Sequence, residues 1–163
     1  MTERMTCDER FIALAKELNY DINGENTVGG NYAPLIRHRD EIYISGMVPR
    51  TEGKIQYPGR VGQELTLKDA QAAASISAMR CLAFIVDAVG SLDKVRSLLR
   101  VTVYVKSTPD FVDLSEVANG ASDVFSYVLG DVGRHTRTTV GVYQLPKNAA
   151  IEVDMIAAVH PSA

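Results

Sequence analysis

The heptapeptide Arg100–Lys106, RVTVYVK, does most to narrow what this chain can fold into. Val101, Val103 and Val105 alternate with Thr102 and Tyr104, a period of two that puts the valines on one face of a β-strand. Such a strand needs an apolar cover on one side only. The cover is encoded on both flanks. Upstream, Thr66 stands three residues before Asp69 in the arrangement of a capping box, with Asp in place of the favoured Glu or Gln. Ala74, Ala78, Cys81, Ile85 and Val89 then share a helical face up to Gly90, which is suited to ending a helix. Downstream, Val117, Ala121, Val124, Phe125 and Val128 form a second helical stripe within residues 110–129.

The remaining segments extend this alternation. Cys7–Leu18 carries apolar residues at spacings of three and four and predicts a short leading helix. EIYISGMVP, from Glu41, predicts a strand that RTEGK turns into KIQYPG, giving a hairpin. Residues 134–159, RHTRTTVGVYQLPKNAAIEVDMIAAV, predict two strands joined by a short turn. The order is a leading helix followed by β-β-α-β-α-β-β. This is an α+β class in which two helices cover one face of a mostly antiparallel or mixed sheet. In the last strand Ile151, Val153 and Met155 oppose Glu152 and Asp154; in the one before it, Val140 and Val142 oppose Arg137, Thr139, Gly141 and Tyr143. One face is thus expected to be apolar and helix-covered. The other, with Thr, Tyr, Gly and charge, suits solvent or a subunit boundary that carries a site. If the last two strands form a hairpin closing Gln144 onto Ala150, Arg137 lies opposite Ala157. It is then five residues, or about 17 Å, along from Glu152. That is too far for one small substrate, so the two charges would meet only across an interface.

Composition limits the classes of function. The chain's 163 residues, 46% hydrophobic and 23% charged, have the proportions of one domain over residues 1–163. A net charge of −3 and a pI near 5.6 disfavour a nucleic-acid partner. Cys7 and Cys81 form neither a disulfide framework nor a metal-ligand spacing. A reducing, cytoplasmic location is expected, with Cys81 as core packing and Cys7 exposed near the terminus. The first residues lack the apolar core of a leader, and no apolar run approaches the roughly 18 to 20 residues that span a bilayer, so no membrane partner is predicted. His38 and His160 lack metal-like neighbours, and no metal site is predicted. Gly29-Gly30 reads as a turn rather than a phosphate loop. There are no long-period repeats or linker-like stretches.

Several motifs resemble one family. TRTTVGVYQLPKNAAIEVDMIAAV presents an Arg followed by a small residue, an alternating strand, Leu-Pro, and an acidic residue in the last strand. This is similar to the C-terminal signature of the RidA or YjgF reactive-intermediate deaminases, also labelled endoribonuclease L-PSP. NYAP before YISGMVP, the helix DAQAAASISAMRCLAFIVDAVGSLDKV and the strand RVTVYVKSTPDF follow in register, so the likeness covers roughly residues 29–159. Residues 1–28 are then a helix-and-loop extension. The departures are Gly30-Asn31-Tyr32 for Gly-Pro-Tyr, Ser45-Gly46-Met47 for Ser-Gly-Gln, and a longer loop after Asp110-Phe111.

The resemblance implies a chorismate-mutase-like fold, a homotrimer and ligand clefts at the subunit boundaries. It also implies hydrolysis of small enamine or imine acids to 2-oxo acids and ammonia, with no cofactor. On this pattern the catalytic residues are Arg137, Glu152 and Tyr32, and a small carboxylate is bound by Arg137, Ser45, Gly46 and Asn119. The chemistry fits those residue types. Arg offers a rigid fork to a carboxylate, Glu can hold water or move a proton, and a Tyr hydroxyl can orient a ligand. Gly46 lets a ligand approach the main chain closely, and Asn119 braces the site. Plainer roles stand beside each: an ion pair between Arg137 and a neighbour's Glu152 or Asp154, a solvated Glu152, a packed Tyr32, an ordinary Ser45-Gly46 turn, a capping Asn119. His135 is either an exposed loop residue or a proton shuttle. The same Arg-lined cleft could serve a binding protein without turnover. RNA cleavage is disfavoured by the acidic pI and the absence of a His pair.

Overall fold

The computed structural model describes residues 5–24 and 26–161. Helix α1 (Cys7–Glu17) is followed by strands β1 (Leu35–His38) and β2 (Glu41–Met47), and by a two-residue ribbon of β3 (Arg50–Thr51) and β4 (Lys54–Ile55). Helix α2 (Leu67–Val89), strand β5 (Val95–Lys106), helix α3 (Leu114–Leu129) and strands β6 (Thr136–Val142) and β7 (Ile151–Val159) complete the chain. The sheet runs β1-β2-β7-β5-β6. β5 and β6 are parallel and the other neighbours antiparallel, so the sheet is mixed.

The elements form where their local signals lie. Thr66 and Asp69 cap α2 reciprocally, Thr66 Oγ1 accepting from the Asp69 amide and the Asp69 carboxylate from the Thr66 amide. Gly90 ends the helix at φ 85°, in the left-handed region that favours glycine. α2 and α3 lie on one face, above Val101, Val103, Val105, Ile151, Val153 and Met155, which are all buried. α2 is long and apolar enough to cross a membrane, contrary to the expectation from sequence. Most of that stretch is buried within the fold. α1 is tied to the domain through its first turn: the Cys7 amide donates to Asp93 Oδ1 (2.9 Å) and Arg10 Nε to the Val128 carbonyl (2.8 Å). Cys7 is consequently buried rather than exposed, and burial pushes its thiol pKa up.

Three expectations about the strands are corrected. β1 was not predicted, and it, not residues 54–59, is the hairpin partner of β2; the RTEGK turn closes only the short β3–β4 ribbon. The last two strands do not pair. α3 carries the chain from β5 to β6 as a crossover, which aligns β6 parallel beside β5, and β7 inserts on the other side of β5. Arg137 therefore faces Val101, not Ala157.

The third correction concerns faces. Val101, the register partner of Arg137, is a helix-side residue, and the space beside Gly141 on β6 is occupied by Leu114 of α3. Arg137, Thr139 and Gly141 therefore point to the helix layer, while Val140 shares the open face with Tyr104 and Glu152. That open face is more apolar than expected, with Ile36 58%, Tyr43 42% and Val140 38% exposed.

Candidate functional site

Tyr32, Gly46 and Glu152 line one cleft, together with Met47, Arg50 and Arg80. Backbone irregularity creates it. Between the pairs Ile44–Met155 and Met47–Val153, β2 advances three residues while β7 advances two, so Ser45-Gly46 forms a β-bulge. The bulge turns Gly46 onto the Glu152 side chain: a Cβ there would overlap the carboxylate. The glycine is needed for this close approach, and what approaches is a residue of the chain itself. Ser45 does not line the cleft. Its hydroxyl donates to the Ala33 carbonyl at 2.8 Å and its amide to the Pro34 carbonyl at 2.9 Å, which holds the loop bearing Tyr32 against β2. Tyr32 is half exposed.

Glu152 is half-buried, and among the described residues nothing donates a hydrogen bond to its carboxylate. Burial, and then the charge of Asp154, push its pKa above the usual carboxylate range. A carboxyl group in that condition exchanges protons closer to neutral pH, as acid–base work requires.

Arg137 and Asn119 lie elsewhere. Register places Arg137 three residues along and two strands across from Glu152, a Cα separation of about 14 Å, with the side chains on opposite faces. The two charges are too far apart within one chain to share a small molecule, as expected, but the expected hairpin register and its spacing of about 17 Å are replaced by this one. Arg137 Nη1 donates to Asn119 Oδ1 (2.9 Å) and Ser122 Oγ (3.0 Å), and Nη2 to the Ser115 carbonyl (3.3 Å), all on α3. Asn119 thus braces Arg137 rather than meeting Glu152. Nε has no partner among the described residues, which leaves one edge of the guanidinium for a carboxylate.

Ser122 and His135 belong to this group and extend the sequence reading. His135 Nδ1 lies 2.6 Å from the Gly133 carbonyl and Nε2 2.9 Å from Ser122 Oγ. A carbonyl only accepts, so Nδ1 carries the proton, and in the neutral ring Nε2 accepts from Ser122. The hydroxyl's lone pair then receives Arg137. His135 is neither exposed nor free, and Ser122 was discoverable as the residue three after Asn119 on α3.

Arg80 was also missed. It lies within the apolar pattern of α2 yet is 4% exposed, donating to the Val48 carbonyl (2.7 Å) and the Thr27 carbonyl (2.8 Å). Among the described residues no group of three or more His, Cys, Asp or Glu is placed to hold a metal ion.

A five-stranded mixed sheet under two helices, with a bulged second strand opening a cleft onto the last one, defines the YjgF-type α+β class. Residues 25–159 match the Endoribonuclease L-PSP family, and the chain belongs to that family, to which YjgF and RidA proteins are also related. It is 38% identical to Protein TCP17 of Trypanosoma cruzi over 148 residues, 90% of this chain and 92% of that protein. Among solved structures it is similar to Atu1372 of Agrobacterium tumefaciens, with 34% identity, a TM-score of 0.85, and 94% and 95% of the two chains covered. The YjgF gene product of E. coli is 25% identical with a TM-score of 0.60, covering 85% and 95%.

Proposed function

We propose that this chain hydrolyses small enamine or imine acids, of the 2-aminoacrylate and 2-iminopropionate type, to 2-oxo acids and ammonia at clefts shared between the subunits of a homotrimer. The division of the site carries the proposal. A braced guanidinium with a free edge stands on one side of the chain, and a desolvated carboxylate with no donor stands in a cleft on the other. About 14 Å on opposite faces keeps Arg137 and Glu152 from serving one small molecule within a chain. Ile36, Tyr43 and Val140 support a subunit boundary, because they leave apolar surface exposed on the face that no helix covers.

In this site Arg137 of one subunit grips the substrate carboxylate, while Tyr32, the Gly46 backbone and Glu152 of the next surround the imine carbon. Glu152 takes a proton from water as the water oxygen bonds to the carbon of the protonated imine and the C=N pair moves to nitrogen; it returns that proton to nitrogen, and the C–N bond then breaks as the hydroxyl gives its own proton back to Glu152 and becomes the carbonyl, releasing ammonia. Orientation and proton transfer suffice, because the imine carbon is already electrophilic. The test is 2-oxo acid formation from 2-iminopropionate generated in situ. Acceleration over the buffer rate is expected. Binding of 2-oxobutanoate by calorimetry with no acceleration would instead establish a carboxylate-binding protein.

A further inference from the structure

Arg50 and Arg80 converge on one acceptor. Arg80 Nη2 donates to the Thr27 carbonyl, and Arg50 Nη2 donates to the same oxygen as well as to Thr27 Oγ1 at 2.9 Å. Two guanidiniums thus meet on the wall of the cleft that holds Glu152. Arg80 is 4% exposed and Arg50 half-buried, and among the described residues neither forms an ion pair. Burial first, and then the charge of Arg50, lower the pKa of Arg80. If the only task were to pin the Thr27 loop to α2, a neutral donor would serve without the cost of two like charges in a half-dry cleft. That cost is recovered when an anion lies across the pair, since charge-assisted hydrogen bonds from planar guanidiniums are among the stronger ones.

We propose that Arg50 and Arg80 form a second anion subsite, and that the acid taken by this site carries two carboxylates. The inference rests on the deaminase reading above, in which Arg137 of a neighbouring subunit holds the first carboxylate. Three guanidiniums then face one Glu152, a balance that suits a dianion. Arg50 and Arg80 line the same cleft as Glu152, so the second carboxylate belongs to a short 2-imino dicarboxylic acid rather than to a long chain.

Calorimetry with two product-like acids of equal chain length, 2-oxosuccinate and 2-oxobutanoate, tests this on the intact protein. The wild type is expected to prefer the dicarboxylate by about tenfold or more. Arg50→Gln and Arg80→Gln each bring the ratio of affinities near one, and Arg50→Lys keeps part of it. Arg80→Gln removes a buried clamp, so Arg50→Gln, at a half-buried position, decides the matter should the former fail to fold. Equal affinities in the wild type, or a ratio unchanged in Arg50→Gln, overturn the second subsite and leave the deaminase reading standing. Binding of neither acid overturns both.

Discussion

The Arg137 group and the Glu152 cleft are built from different kinds of structure. Arg137 stands on a regular edge strand and is held by Asn119, Ser122 and the Ser115 carbonyl of one helix, with His135 fixing the orientation of the serine. Glu152 stands on a regular strand too, but its surroundings are irregular: the Ser45-Gly46 bulge, the loop before β1, and Lys147, which has φ 57°. Its carboxylate receives no hydrogen bond among the described residues. The first region spends its hydrogen bonds on geometry and the second withholds them. A residue that must grip one group in one orientation gains from bracing, whereas a residue that must trade protons gains from having no donor to hold its charge.

Replacing Glu152 gives the largest expected effect. Glu152→Gln should lower turnover by ~10²- to 10⁴-fold. Stability should move the other way. The raised pKa means that the folded chain binds this proton more tightly than the unfolded one, so the group's contribution to stability falls as pH rises through that pKa. At neutral pH the Gln chain should therefore melt no lower than the wild type, and the stability difference should vanish in acid. The pH profile of kcat/KM should lose a limb lying above the usual carboxylate range. A clear fall in melting temperature would mean that the cleft depends on the charge.

Gly46→Ala tests the same half without touching the charge. The new Cβ overlaps the Glu152 carboxylate, whose flexible end can swing away, so the chain should fold while turnover falls by ~10- to 100-fold. Full activity would place the reactive carboxylate elsewhere. Arg137→Lys keeps the charge and loses the fork; weaker binding of 2-oxobutanoate by ~1 to 3 kcal/mol is expected in calorimetry. Ser122→Ala removes one brace and should cost binding ~0.5 to 1.5 kcal/mol, with KM moving more than kcat. Equal effects of Ser122→Ala and Arg137→Lys would show that bracing, not the fork, limits the site.

Where signals are local, the sequence was readable. The capping box at Thr66, the stop at Gly90, the valine alternation of β5 and the stripe on α3 each depend on neighbours a few residues away, and each stands in the fold as expected. Strand pairing is not local. The alternation of Arg137–Val142 says that two faces differ but not which face meets the helices, and a strand at the sheet's edge can turn a charge toward the rim of the helix layer. The order strand, helix, strand was itself a sign of a parallel crossover, stronger than the proximity of β6 to β7 that suggested a hairpin. Arg137 and Glu152 could be singled out as candidates by residue type alone. Ser122 is within reach as the residue three after Asn119, though its contact with Arg137 is tertiary, whereas Arg80, on the wall of the cleft, lies inside an apolar helical pattern where no period marks it.

The central claim is that the two regions belong to one site only when they come from different chains. Arg137→Ala and Glu152→Gln chains, each folded and inactive alone, should be unfolded together, reassembled, and assayed on 2-iminopropionate generated in situ. Mixed oligomers contain boundaries at which an intact Arg137 faces an intact Glu152, so activity above that of either parent is expected. Activity no higher than the parents, with mixing confirmed by native mass spectrometry, would contradict the shared site.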